Sequence, residues 1–235
     1  MTSGFGPSFD PDRLDYISSA RGPYQPGVPG QTPARRQDPT GFAATKQMWL
    51  RAGMLISAFI ALLYAIEAWD AVDSRDLDMA GIEPREVNGL DGILWAPLLH
   101  AGWDHLISNT LPLFILGFLV LATGIWRGLA ATGVIWVVAG VGTWLVGGDN
   151  SVHVGASSLI FGWLTYLLLR GIFARDVVQI VIGLVVFVLY GSMLWGVLPS
   201  DPRISWQGHL FGAVGGVLAA WWLARRPREK RPAGA

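Results

Sequence analysis

Six long apolar stretches, at about 48–70, 103–123, 128–147, 155–173, 177–198 and 206–224, limit what this chain can fold into. A helix needs roughly 20 mostly apolar residues to cross about 30 Å of hydrocarbon. Backbone inside hydrocarbon must also satisfy its own hydrogen bonds, which leaves helices and closed barrels as the spanning structures. The stretches have helical length, so the expectation is an all-α membrane protein built as a bundle of six transmembrane helices. Composition agrees, with 52% hydrophobic and 14% charged residues, far from the balance of a soluble domain. The spans form one domain at 47–225. They leave a Gly-, Pro- and Ser-rich tail at 1–46, expected to be disordered and cytoplasmic, and a basic cytoplasmic tail at 226–235. The first tail has no apolar core of a cleaved signal, so the first span is expected to direct insertion.

Charge sets the orientation. With the N-terminus inside, the cytoplasmic side collects Arg35, Arg36, Lys46, Arg51, Arg127, Arg170, Arg175 and the basic C-terminal tail. The other side holds Arg75, Arg85 and Arg203. Positive residues favour the cytoplasmic side, so both termini are expected there, in the plasma membrane. The longest external segment, about 71–102, turns apolar in "GLDGILWAPLLHAGW". That half is broken by Gly92 and Pro97 and is too short to span, so it is expected to lie in the outer leaflet as a membrane-associated loop between the first two helices.

Several chemistries are excluded or disfavoured. The chain has no cysteine, which removes thiolate nucleophiles, disulfides and Cys-ligated zinc. There is no Gly-rich phosphate loop. The spans carry no central carboxylate or lysine suited to an ion relay, and the histidines lack the spacing of a metal site. No metal, cofactor or nucleic acid is expected.

Polar residues then stand out by their depth. The second, fourth and sixth spans run from outside to inside. His105 and Asn109 lie in the first turns of the second, Ser157 in the first turn of the fourth, and His209 near the start of the sixth. At about 1.5 Å per residue, all four fall within roughly 10 Å of the outer helix ends. His105 and Asn109, at i and i+4, share one face. Gly208, Gly212 and Gly216 repeat at the same interval, and Ser158 with Gly162 gives a second small pair, which lets two backbones approach closely. Asp104 is expected to cap the second span. His100 and His153 are expected to hydrogen-bond loop backbone near the outer surface.

Taken singly, each residue has an ordinary use. A serine in an apolar helix bonds back to a carbonyl one turn earlier, and a His/Asn pair can join helices. Their common depth, with every histidine of the chain nearby, favours a site. A serine hydroxyl becomes a nucleophile when a base takes its proton, and neutral His209 suits that task. Negative charge developing on a carbonyl oxygen calls for fixed donors. The Ser157 N–H at a helix N-terminus and the side chains of His105 and Asn109 are candidates, and no buried acid completes a triad.

The pair "HLISN" (His105, Asn109), the run "GASS" with Gly155 and Ser157, and "HLFGAVGG" with His209, Gly212 and Gly216 together resemble the rhomboid family of intramembrane serine proteases. The likeness covers roughly 48–224. It implies Ser157 as nucleophile and His209 as general base. His105, Asn109 and the Ser157 amide would form the oxyanion hole, and transmembrane proteins would be cut in or near the outer leaflet of the bilayer. Three positions depart from the family pattern. Ser158 stands where a glycine is usual, Phe161 where many members carry tyrosine, and Asp91 and Gly92 where a Trp-Arg pair often anchors the external loop. A catalytically inactive relative that binds membrane-protein clients through the same fold is the alternative reading.

Overall fold

The computed structural model describes residues 41–73, 76–199 and 204–224. The two tails, apart from Gly41–Lys46, and Arg75 and Arg203 lie outside the described residues. Among the described residues, all regular structure is helical, and no strand is present beyond an isolated antiparallel bridge between Ile82 and His153. The described residues contain seven α-helices, in order α1 Gly41–Asp70, α2 Gly92–Trp95, α3 Trp103–Ala122, α4 Ile125–Val146, α5 Ser157–Ala174, α6 Val177–Tyr190 and α7 Trp206–Leu223.

Five segments are long and apolar enough to cross a membrane: Ala43–Asp70, Trp103–Ala122, Ile125–Val146, Ser157–Ala174 and Val177–Val197. The protein is therefore a multi-pass membrane protein. The sixth expected stretch coincides with α7, an 18-residue helix that is not among these five. Gln207, His209 and four glycines (Gly208, Gly212, Gly215, Gly216) make it less apolar than the others. Burial explains how it tolerates them, because α7 packs against α4 and α5 and turns this small, polar face inward.

Helix α5 occupies the centre. Leu159, Ile160, Leu164 and Tyr166 are fully buried, and Leu106, Leu113 and Leu116 of α3 and Ile135 of α4 join them in one core. By contrast α6 leaves Val181, Leu184, Val188 and Leu189 exposed, which suits a helix facing hydrocarbon.

Small residues set the closest approach, between α5 and α7. A Cβ placed on Gly212 would come within 2.2 Å of the Ser158 carbonyl oxygen, and one on Gly216 within 2.0 Å of the Gly162 carbonyl oxygen. Thr165 Oγ1 donates across the same seam to the Ala213 carbonyl at 2.8 Å. Gly208, the third member of the series, sits by Ser205 and Thr143 and takes no part in the seam.

The segment between α1 and α3 folds into short turns, 3-10 at Leu77–Ala80, Val87–Gly89 and Ala96–Leu98, with α2 among them. It lacks the Trp-Arg pair yet is pinned to α4 by other groups. Trp136 Nε1 donates to the Ile93 carbonyl at 2.8 Å and Trp144 Nε1 to the Glu86 carbonyl at 2.9 Å. Arg85 donates to the Gly147 carbonyl at 2.7 Å and pairs with Asp149.

Two local expectations need correction. Asp104 does not cap α3; the cap is Gly102, whose φ of 96° suits a residue without Cβ, and no side chain caps that end. The fifth span is not a continuous α-helix to 198. It turns into a 3-10 segment at Gly191–Val197, which brings a backbone carbonyl to the site described next.

Candidate active site

Gly155 begins the site. Its φ of 118° is one that L side chains rarely adopt, and a Cβ there would stand 2.7 Å from the His105 ring. The chain can therefore turn sharply beneath His105. Ala156 then caps α5 and Ser157 is its first residue. The first N–H groups of a helix have no carbonyl partner within it, so the Ser157 amide sits at the positive end of α5 beside its own hydroxyl.

Across the seam, His209 Nε2 lies 2.9 Å from Ser157 Oγ. The other ring nitrogen decides the tautomer. His209 Nδ1 is 2.9 Å from the Gly196 carbonyl oxygen, which can only accept, so Nδ1 carries the proton. Nε2 is then a lone pair facing the serine O–H. Phe161 stacks on the imidazole with centroids 4.0 Å apart and planes 11° from parallel. The ring is thus held on its face by Phe161 and on its edge by Gly196.

Asn109 and His105 stand on α3 one turn apart. Asn109 is 7% exposed, and its Nδ2 is buried with no hydrogen-bond acceptor. That is a costly arrangement for an amide unless something else accepts from it. Ser157, His209, His105, Asn109 and Phe161 line one cleft of about 1250 Å³, with Met193, Gln207 and His153 also on its wall. Ser158, Gly212 and Gly216 lie outside the cleft wall, and Ser158 and Gly212 meet in the seam behind it.

His100 lies beside the cleft, 2% exposed, with its ring edge-on to His105 at 5.3 Å. Burial, then the neighbouring His105, push its pKa down to about 4, so at neutral pH it is uncharged and accepts from the Ala156 N–H at 3.4 Å. The expectation for His153 needs correction. Its ring meets two hydroxyls, Ser205 Oγ at 2.7 Å and Ser151 Oγ at 3.0 Å, and no backbone group.

The comparisons with known proteins agree with one another. The model of the rhomboid domain matches residues 89–226, more than half of the chain. The chain belongs to the rhomboid family. An uncharacterized protein of Mycobacterium tuberculosis is 46% identical to this rhomboid over 205 residues, 84% of this chain and 85% of that one. A Bacillus subtilis protein provisionally named a rhomboid protease is 28% identical over 76% of this chain and 89% of its own. The chloroplastic rhomboid-like protein 11 of Arabidopsis thaliana is 32% identical over 56% of this chain and 52% of its own. No solved structure matches.

Sequence reasoning missed two groups of this rhomboid, the Gly196 carbonyl and Ser205. A backbone carbonyl has no side-chain signature, and Gly196 stood inside a stretch that otherwise looked like the end of a span. Ser205 lies 52 residues from His153, and no local pattern joins the two.

Proposed function

We propose that this protein is an intramembrane serine protease that cuts membrane-anchored proteins in or near the outer leaflet with a Ser157/His209 dyad. The observation that carries the reading is the 2.9 Å contact between the serine hydroxyl and the nitrogen that the Gly196 carbonyl leaves unprotonated. As the Ser157 oxygen attacks a peptide carbonyl, its proton passes to His209 Nε2 and the carbonyl π electrons move onto oxygen. The Ser157 N–H, Asn109 Nδ2 and His105 donate to that oxyanion. His209 then returns the proton to the leaving amine, and a water entering from the cleft hydrolyses the acyl-serine by the same route. Hydrolysis of a single-span protein in liposomes by the purified rhomboid tests the proposal, and failure to cut any such substrate would sink it. An inactive client-binding relative would have no use for the tautomer that the Gly196 carbonyl imposes.

Asn109 supports the reading because its amide is buried yet unpaired, as a donor reserved for a transient acceptor would be. Asn109→Ala is expected to lower kcat on the order of 10²-fold with little change in KM, the usual loss for one oxyanion donor. Steady-state hydrolysis in liposomes measures it; a rise in KM alone would place Asn109 in substrate binding instead.

In the same proposal six helices cross the plasma membrane, with α7 as the shielded one, and both termini are cytoplasmic. The chain has no cysteine, so single cysteines report topology cleanly. A membrane-impermeant maleimide added to intact cells is expected to label Asp149→Cys and to leave Arg175→Cys unlabelled until the membrane is opened. The reverse pattern would invert the protein.

A further inference from the structure

The seam glycines Gly212 and Gly216 hold α5 and α7 together well inside the bundle, whereas the dyad sits at its mouth, where Gly208 makes no seam contact. Another bond closes that end. His153 Nδ1 and Ser205 Oγ are 2.7 Å apart. His153 precedes Ser157 by four residues and Ser205 precedes His209 by four, so the two bridges run parallel, each joining residues 52 apart in sequence.

The hydrogens in this network can be assigned. Ser151 Oγ donates its one proton to the Gly148 carbonyl at 2.6 Å, so His153 must donate from Nε2 to Ser151. Nδ1 is then a lone pair, and the Ser205 hydroxyl donates to it. The Ser205 oxygen in turn accepts from the Gly208 N–H at 3.2 Å, which is the cap of α7. The His153 backbone is fixed as well, exchanging two 3.0 Å hydrogen bonds with Ile82. One residue therefore links the external loop through its backbone, and the turn before the nucleophile and the start of the helix that carries the base through its ring.

We propose that His153 is a positioning residue for the reaction, acting through Ser205 to hold the start of α7 at the distance the Ser157–His209 bond requires. This rests on the protease reading. Misplacing a base by a fraction of an ångström slows proton transfer and leaves the substrate-binding surface intact.

The test is a double-mutant cycle with His153→Leu and Ser205→Ala, read as kcat and KM in liposomes. Each single change is expected to lower kcat on the order of 10-fold at unchanged KM, and the double variant to fall no further than the worse single, because both remove one bond. His153→Asn, whose side-chain oxygen falls near the place of Nδ1, is expected to recover most of the rate and also serves if the leucine variant does not fold. Additive losses, a change in KM alone, or a parental kcat in His153→Leu would overturn the proposal.

A readout without turnover separates it from the protease reading. The chain has four histidines, so ring-¹⁵N labelling gives few signals. His153 is expected to show a protonated Nε2, His209 a protonated Nδ1, and His153→Leu to shift the His209 Nε2 resonance. An unmoved His209 signal refutes the positioning role whether or not the protein cuts anything. The predicted shifts in a protein that cuts nothing would keep the tether and discard the protease.

Discussion

Ser157→Ala is expected to abolish hydrolysis of a single-span substrate, a loss on the order of 10⁴-fold or more in kcat, while expression and thermal unfolding stay close to the parent. Ser157 Oγ meets His209 Nε2 at 2.9 Å, and alanine removes the only oxygen at that position. His209→Ala is expected to cost as much, because a hydroxyl without its base is a weak nucleophile. The double variant should be scarcely slower than either single one, since the two residues act as a unit. Ser158 and Ser205 are nearby hydroxyls, but neither is bonded to His209. Undiminished cutting by Ser157→Ala would place the nucleophile elsewhere.

The second large effect is structural. Gly216→Val is expected to destabilise the fold by about 3 kcal/mol or more and to remove activity with it. A Cβ on Gly216 would stand 2.0 Å from the Gly162 carbonyl oxygen and 2.1 Å from Thr165 Oγ1. The nearer obstacle is backbone on a buried central helix, so rotation of the Thr165 side chain alone cannot make room. Separation of α5 from α7 is the remaining response, and it pulls the base from the nucleophile. Gly133→Val is the control, because a Cβ at Gly133 meets nothing within 4 Å and should leave unfolding and cleavage near parental. Thermal unfolding in detergent, followed by intrinsic fluorescence, checks both variants. Equal behaviour of the two would mean that the seam yields more readily than its geometry implies.

Much of the architecture was legible because hydrocarbon imposes a length on every helix that crosses it. All six stretches were read from apolar runs; five coincide with helices long and apolar enough to cross a membrane, and the sixth coincides with α7, whose glycine spacing marks a packed face. The juxtaposition of Ser157, His209, His105 and Asn109 was legible from common depth, the shared face of His105 and Asn109, the spacing of small residues and the family motifs, since helices entering from one side place equal offsets in one layer. Features made by backbone were not. Nothing in "SMLWGVLPS" announces that the span tightens into a 3-10 turn so that Gly196 can accept from an imidazole. Asp104 looked like a cap, but the tight turn at Gly102 starts α3 before any side chain can serve. For His153, its place near the outer surface was legible but a loop-backbone partner was expected, because Ser205 lies 52 residues away and only packing joins them.

The most direct measurement is the fate of a serine-reactive fluorophosphonate. It asks whether one hydroxyl in this molecule is nucleophilic and whether His209 makes it so, independent of any guess about substrate. After incubation of the purified protein in detergent, intact mass and peptide mapping are predicted to find a single adduct, on Ser157, which is absent from the His209→Ala protein. An adduct on another serine, or equal labelling of Ser157 when His209 is gone, would contradict the account.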